Sequence, residues 1–258
     1  MIYNKHLKAK YKLMIFALTL TSLILFKADM FLANNKNMDK KMPIFSVETP
    51  QKLIALTFNA AWDDADTAEI LDILDANGIK ASFFLCGTWL DKYPDLLKQI
   101  YAAGHDVGNH GDDHAHVASL SFDANVKEIM GAHKKVQDIL GISMNLYRGP
   151  YGEYNATVVE AAKSQGYKMI QWNVDSLDWM NKGAEDLVNR VLNHKKLRNG
   201  SIVLFHTDAK HTAAVLQRVI DGLKIKGYAF VPVSELIYKD GYYIDFEGRQ
   251  RLNELPLK

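Results

Sequence analysis

Gly104-His105-Asp106-Val107-Gly108-Asn109-His110-Gly111-Asp112-Asp113-His114 joins a short apolar run, closed by glycines, to two histidines four residues apart. The pattern predicts a strand giving way to a loop or a first helical turn. On one helical turn, positions i and i+4 share a face. Two neutral imidazoles so placed can converge on one metal ion, as in other short His-x-x-x-His zinc pairs. Such pairs are also common on polar surface loops, so the reading depends on what the rest of the chain brings to the same place.

Outward from this stretch the chain alternates. Short apolar runs predict strands over 53–58, 81–85, 105–108, 144–147, 167–172, 201–205 and 228–233. Between them, helices are predicted over 67–76, 91–103, 123–140, 155–165, 184–194 and 213–225. Asn77-Gly78, Gly104, Gly141, Gly166 and Gly227 supply the stops. In the third helix, Val126, Ile129, Met130, His133, Val136 and Leu140 fall on one face. Strand-helix alternation with short apolar strands argues an α/β fold with a parallel sheet, and about seven units argue a barrel.

Composition agrees with one large domain. The chain has 258 residues, 48% hydrophobic and 24% charged. Its net charge of +1 gives no global basic field, so nucleic acid is not an expected partner. Cys86, the one cysteine, lies in Ser82-Phe83-Phe84-Leu85-Cys86 and reads as a small buried hydrophobe.

The N-terminus predicts export. Lys5, Lys8, Lys10 and Lys12 precede the uncharged run Leu13 to Phe26, the pattern of a secretory signal or signal anchor. That run is shorter than the ~20 residues of a usual spanning helix. Met30-Phe31-Leu32-Ala33 can extend it, and Phe26 and Phe31 stand where a cleavage site needs small residues. The division expected is a cytoplasmic basic segment 1–12, a signal anchor or signal peptide 13–33, a linker 34–51, a folded domain 52–237 and an unassigned tail 238–258. This predicts a single-pass protein of the cell membrane with its domain outside the cytoplasm, or a secreted one if the segment is cleaved.

Polar clusters follow the predicted strands, where a parallel barrel gathers its chemistry. They are Asn59, Asp63, Asp64 and Asp66; then His110, Asp112, Asp113 and His114; then Arg148-Gly149-Pro150-Tyr151-Gly152; then Asp175, Asp178 and Trp179; then His206-Thr207-Asp208. One such cluster is ordinary loop decoration. Five at one rim are hard to explain by solvation alone.

Thr57-Phe58, the Gly104 to His114 stretch, Arg148-Gly149-Pro150-Tyr151-Gly152, Asp175-Ser176-Leu177-Asp178-Trp179 and Leu204-Phe205-His206, in this order, resemble the polysaccharide deacetylases, the NodB-homology domain of carbohydrate esterase family 4. Phe230-Val231-Pro232-Val233-Ser234-Glu235-Leu236 resembles that family's last strand. The resemblance spans roughly residues 50 to 237. It implies a distorted (β/α) barrel and a hydrolase of carbon-nitrogen, non-peptide bonds. The implied reaction removes acetyl groups from a cell-envelope polysaccharide, peptidoglycan or a chitin-like glycan, with a divalent metal, zinc first. It also implies roles. His110 and His114 match the metal histidines, and Arg148 the arginine that holds the catalytic carboxylate. Tyr151 matches the oxyanion N–H donor, Trp179 the groove wall and Leu204 the acetyl-methyl pocket. His206 matches the general acid, and Asp178 the carboxylate that tunes it.

One motif departs. After Thr-Phe the family pattern has Asp-Asp-Gly, base then third metal ligand, whereas this chain has Asn59-Ala60-Ala61. An amide does not accept a proton in the useful pH range, and alanine cannot ligate. Trp62-Asp63-Asp64-Ala65-Asp66-Thr67 resembles a sporulation-associated subgroup with an altered Asp pair. Three outcomes stay open: Asp63 or Asp64 takes over, with Asp64 as the candidate metal ligand; the two histidines hold the metal alone; or turnover is lost. Metal-dependent deacetylation is the expectation, and a non-catalytic glycan-binding or assembly protein is the alternative.

Overall fold

The computed structural model describes residues 42–253, together with Thr19, Thr21, Ser22 and Lys27. Along the chain the elements are β1 (Ser46–Val47), β2 (Leu53–Ala60), α1 (Thr67–Ala76), β3 (Ser82–Leu85), α2 (Gly87–Lys92), α3 (Pro94–Ala102), β4 (Asp106–Asn109), α4 (Phe122–Leu140), β5 (Leu146–Tyr147), α5 (Ala156–Ser164), β6 (Lys168–Met169), β7 (Val174–Asp175), α6 (Ala184–Leu192), β8 (Ser201–His206), α7 (Thr212–Ile225), β9 (Ala229–Phe230), α8 (Val233–Leu236), β10 (Tyr242–Ile244) and β11 (Arg249–Leu252).

β2 is the spine. Its sequence LIALTFNA is buried from the second residue to the last, as expected of a strand covered on both faces. It pairs in parallel with β3 and β8. Phe58 stacks against Phe83 and Phe205 with ring centroids 5.1 and 5.5 Å apart, which fixes the three strands side to side. Local chemistry sets the helices. Ser121 Oγ accepts the Ala124 N–H at 3.3 Å to start α4, and Gly141 ends it at φ 71°. The helix expected over 91–103 is two helices, because Pro94 has no N–H and starts α3 afresh at its first position.

The expected distorted (β/α) barrel of about seven strands is corrected in one respect: it is distorted to the point of being open. The sheet path runs β10-β11-β1-β8-β2-β3-β4-β5-β6, with β7 on β8 and β9 on β2. It is a curled, open half-barrel and it is mixed: β1 runs antiparallel to β8, and β10 to β11. Next to β1 and β6, the pair Ile44↔Ile170 is an isolated bridge and not a ladder. β5, β6 and β7 are two residues long, too short to carry continuous pairing around a closed ring. β10 and β11 come from the unassigned tail, and β11 lies parallel to β1.

The membrane anchor, and with it the single-pass cell-membrane location and the membrane as partner, is also corrected. Among the described residues no helix is long and apolar enough to cross a membrane. Segment 1–12 and nearly all of 13–33 lie outside the described residues.

Candidate functional site

Because β2, β3, β4, β5, β6, β7 and β8 run parallel to one another, their C-terminal ends open on one rim. A groove of about 700 Å³ lies there. Its lining includes Asn59, His110, His114, Tyr151, Asp178, Trp179, Leu204 and His206. Of the residues singled out in the sequence, Arg148 lies buried beneath the floor, and Asp64 does not line the groove.

The two histidines meet by a route other than a helical turn. His110 directly follows β4, and a loop through Gly111 brings His114 back at φ 54°. Their rings stand edge to face at 5.0 Å. His110 Nδ1 lies 2.8 Å from the Arg148 carbonyl, so that nitrogen carries the proton and Nε2 is left free. His114 Nδ1 is buried with no partner among the described residues. Burial, then the neighbouring His114, holds His110 well below the usual imidazole range; burial, then His206, takes His114 down to about 4. Both rings are therefore neutral at pH 7.

Neutral imidazoles suit a metal, but a zinc site needs at least three protein ligands. Ala60 offers no donor atom. The loop that follows it sends Trp62 to the groove and Asp63 the other way. There Asp63 Oδ1 faces the Tyr93 hydroxyl at 3.3 Å and accepts the Asp64 N–H at 2.8 Å. Among the described residues no group of three or more His, Cys, Asp or Glu side chains could hold a metal ion. The site does not fit the expected zinc or other divalent metal, and that expectation is corrected.

Arg148 is fully buried and no carboxylate pairs with it within ion-pair distance among the described residues. Instead it donates to Thr57 Oγ1 at 3.0 Å, Asn59 Oδ1 at 2.9 Å and the carbonyls of Ile170 and Gln171. Its guanidinium lies 4.0 Å over the Phe84 ring. Burial pushes it down to about 9, which leaves it charged at neutral pH. Its hydrogen-bond acceptors are all neutral, and the Asp175 carboxylate attracts the charge from beyond ion-pair distance.

His206 and Asp178 form a pair on the groove floor. His206 Nδ1 and backbone N–H both donate to the Asp178 carboxylate at 2.7 Å. Thr212 Oγ1 donates to it at 2.7 Å and the Trp179 N–H at 2.9 Å. Burial alone would raise this carboxyl; the hydrogen bonds from His206 and Thr212 outweigh it and hold it below its usual range.

Three aromatic rings stand out from the groove: Trp62, Tyr151 and Trp179 are 59%, 54% and 60% exposed. Tyr151 stacks on His116 at 4.2 Å and abuts His114 at 4.5 Å. His116 is pinned by Glu153 at 2.8 Å. Among the described residues, the four non-glycine residues with positive φ, His114, Tyr151, Leu177 and Asn181, all belong to loops at this rim. Such backbone persists where surrounding structure over-determines it, and it clusters at functional sites. Trp172, Asn181 and Lys210 also line the groove, and sequence reasoning missed them. Trp172 was hidden inside a predicted strand; its Nε1–H bond to Asp175 at 3.0 Å depends on a turn visible only in three dimensions.

Residues 46–170 match the model of the family described as polysaccharide deacetylase. Over 198 residues the chain is 34% identical to a peptidoglycan-N-acetylglucosamine deacetylase of Bacillus cereus, covering 75% of this chain and 92% of that one. The chain belongs to the polysaccharide deacetylase family. Among solved structures of this CE4 family, a pseudoenzyme from Bacillus anthracis is similar at 30% identity and a TM-score of 0.72, covering 75% of this chain and 68% of that one. A mutant of a CE4 pseudoenzyme with restored enzymatic activity matches equally, at 30% identity and a TM-score of 0.72, covering 75% and 70%. Within the family, this deacetylase-like chain has Asn59 and Ala60 in place of the Asp pair and no metal cluster among its described residues. The expected metal-dependent deacetylation is corrected accordingly: no metal-holding cluster is found among the described residues, and similar solved structures of the family are pseudoenzymes.

Proposed function

We propose that this protein is a non-catalytic glycan-binding member of the deacetylase family, one that holds an N-acetylated cell-wall glycan without cleaving it. The observation that carries this reading is Asn59. By the resemblance it stands where the family has its base; Arg148 donates to its amide oxygen, and it lines the groove beneath the exposed rings. Trp62, Tyr151 and Trp179 supply flat apolar faces of the kind that anchor a binding surface. Leu204, only 2% exposed, offers an apolar floor for an acetyl methyl group. The His206–Asp178 pair orients a polar group at the same floor. The relatives named as peptidoglycan deacetylases support a peptidoglycan-type ligand.

The test pairs two measurements on the full chain. Titration with peptidoglycan fragments and chitooligosaccharides should give saturable binding. Acetate release from the same glycans should stay at background with zinc, cobalt or manganese added. Acetate release above background with any of these metals overturns the reading. The loop Trp62-Asp63-Asp64-Ala65-Asp66-Thr67 further supports membership of the sporulation-type subgroup, for which transcript levels across growth and sporulation are the check.

A further inference from the structure

Asp208 stands on the wall of the groove, in the loop that follows β8. Its backbone is held on both sides. The Thr207 N–H donates to the Asn59 carbonyl at 3.0 Å, the Thr207 carbonyl accepts the Asp66 N–H at 3.3 Å, and the Ala209 carbonyl accepts the Thr212 N–H at 2.9 Å. The carboxylate presented by this fixed loop is half-buried, and among the described residues only its own backbone N–H bonds to it. No described lysine or arginine lies within ion-pair distance of it. Burial pushes the carboxyl above its usual range; Asp178 and Asp63 add to the push, against the pull of His206. The other two groove carboxylates are engaged. Asp175 accepts from Trp172 Nε1 and the Leu177 N–H, and Asp178 from His206, Thr212 and Trp179. Asp208 is the one left to a ligand.

We propose that Asp208 is the docking point for a primary ammonium carried by the bound glycan, so that the groove selects ligands with a free amine beside their N-acetyl sugars. The proposal rests on the glycan-binding reading and adds a second chemical feature to the ligand of that same site. A half-buried carboxylate crowded by like charges gains from a cation that also donates hydrogen bonds. Trp62 and Trp179 line the same groove with indoles more than half exposed, and an indole face attracts a cation. The floor cation, Arg148, is fully buried and spends its N–H groups on Thr57, Asn59 and two carbonyls. Lys210, the cation on the wall, is exposed and free to turn to solvent. Two parts of a cell-wall glycan can bring a primary ammonium: a hexosamine that has lost its acetyl group, or an amino acid side chain of an attached peptide. The first requires that a separate amide hydrolysis act on the glycan before this protein binds it.

The experiment titrates the full chain, with EDTA present, against two pairs of ligands. One pair is fully N-acetylated and half-deacetylated chitotetraose. The other is a muropeptide with a free side-chain amine and the same muropeptide acetylated on that amine. Wild type should bind the amine-bearing member of at least one pair about tenfold more tightly, the worth of a charge-assisted hydrogen bond. The pair that shows the preference identifies the source of the ammonium. High salt should shrink the ratio, and Asp208→Asn, which keeps the size and removes the charge, should bring it near unity. Equal or weaker binding of the amine-bearing member in both pairs overturns the inference and leaves glycan binding standing. So does a ratio that neither salt nor Asp208→Asn diminishes. Binding of no member of either pair overturns both.

Discussion

Asn59 and Ala60 sit side by side at the end of β2, opposite Phe84 and Leu85. Supplying both carboxylates by Asn59→Asp with Ala60→Asp should create a base beside Arg148 and a third ligand near the two imidazoles. The expected outcome is one zinc per chain by elemental analysis and acetate release roughly 10²-fold or more above wild type. Failure to take up zinc would mean that the His110–His114 geometry has drifted as well. A second prediction concerns His105, away from the groove. It is buried, its Nδ1 accepts the Ala81 N–H at 3.1 Å, and burial, then Lys80, takes it down to about 4. Between that value and its unfolded value of about 6.5, the unfolded chain binds a proton that the folded one does not. Stability therefore rises with pH across this window and is lost as pH falls, by about 3 kcal/mol for a group shifted this far. His105→Asn should flatten the dependence measured by urea unfolding between pH 7 and 4.5, even though its stability at pH 7 is lower. Motif order could point to Asn59, Arg148 and His206 in the sequence. The direction in which the Asn59 amide lies could not be read there, because it depends on a guanidinium 89 residues away in the chain.

At the scale of elements, the long helices and the buried strands were legible because each repeats one pattern over many residues. α4 carries its start and stop in Ser121 and Gly141. β5 and β6 were overestimated as strands, since two residues of ladder leave the same apolar signature as five, and β7, equally short, was not predicted. β10 and β11 escaped notice because alternating Tyr, Arg and Gln at a polar edge give no apolar signal. The packing of β1 on β8 depends on Gly200, at φ 78°, where an added Cβ would come within 1.8 Å of the Val47 carbonyl oxygen. Gly200→Ala should destabilise the fold by about 3 kcal/mol through backbone strain and the forced separation of β1, read as a lowered urea midpoint.

For the whole molecule, the absence of a metal cluster among the described residues predicts that EDTA leaves the melting temperature unchanged. A bound ion would stabilise the native state by mass action, so a drop on chelation would reveal one. Order of motifs, apolar periodicity and the lost Asp pair were all fixed by the chain read end to end. Each is a local property, a spacing or a side-chain identity, and survives without knowledge of neighbours. Tertiary structure alone decided that the sheet stays open, that the 62–66 loop turns Asp63 onto Tyr93 and brings no carboxylate to the histidines, and that Arg148 sits charged among neutral acceptors. Those outcomes depend on which groups converge across scores of residues, and hydrogen bonding and desolvation act through space without regard to sequence distance.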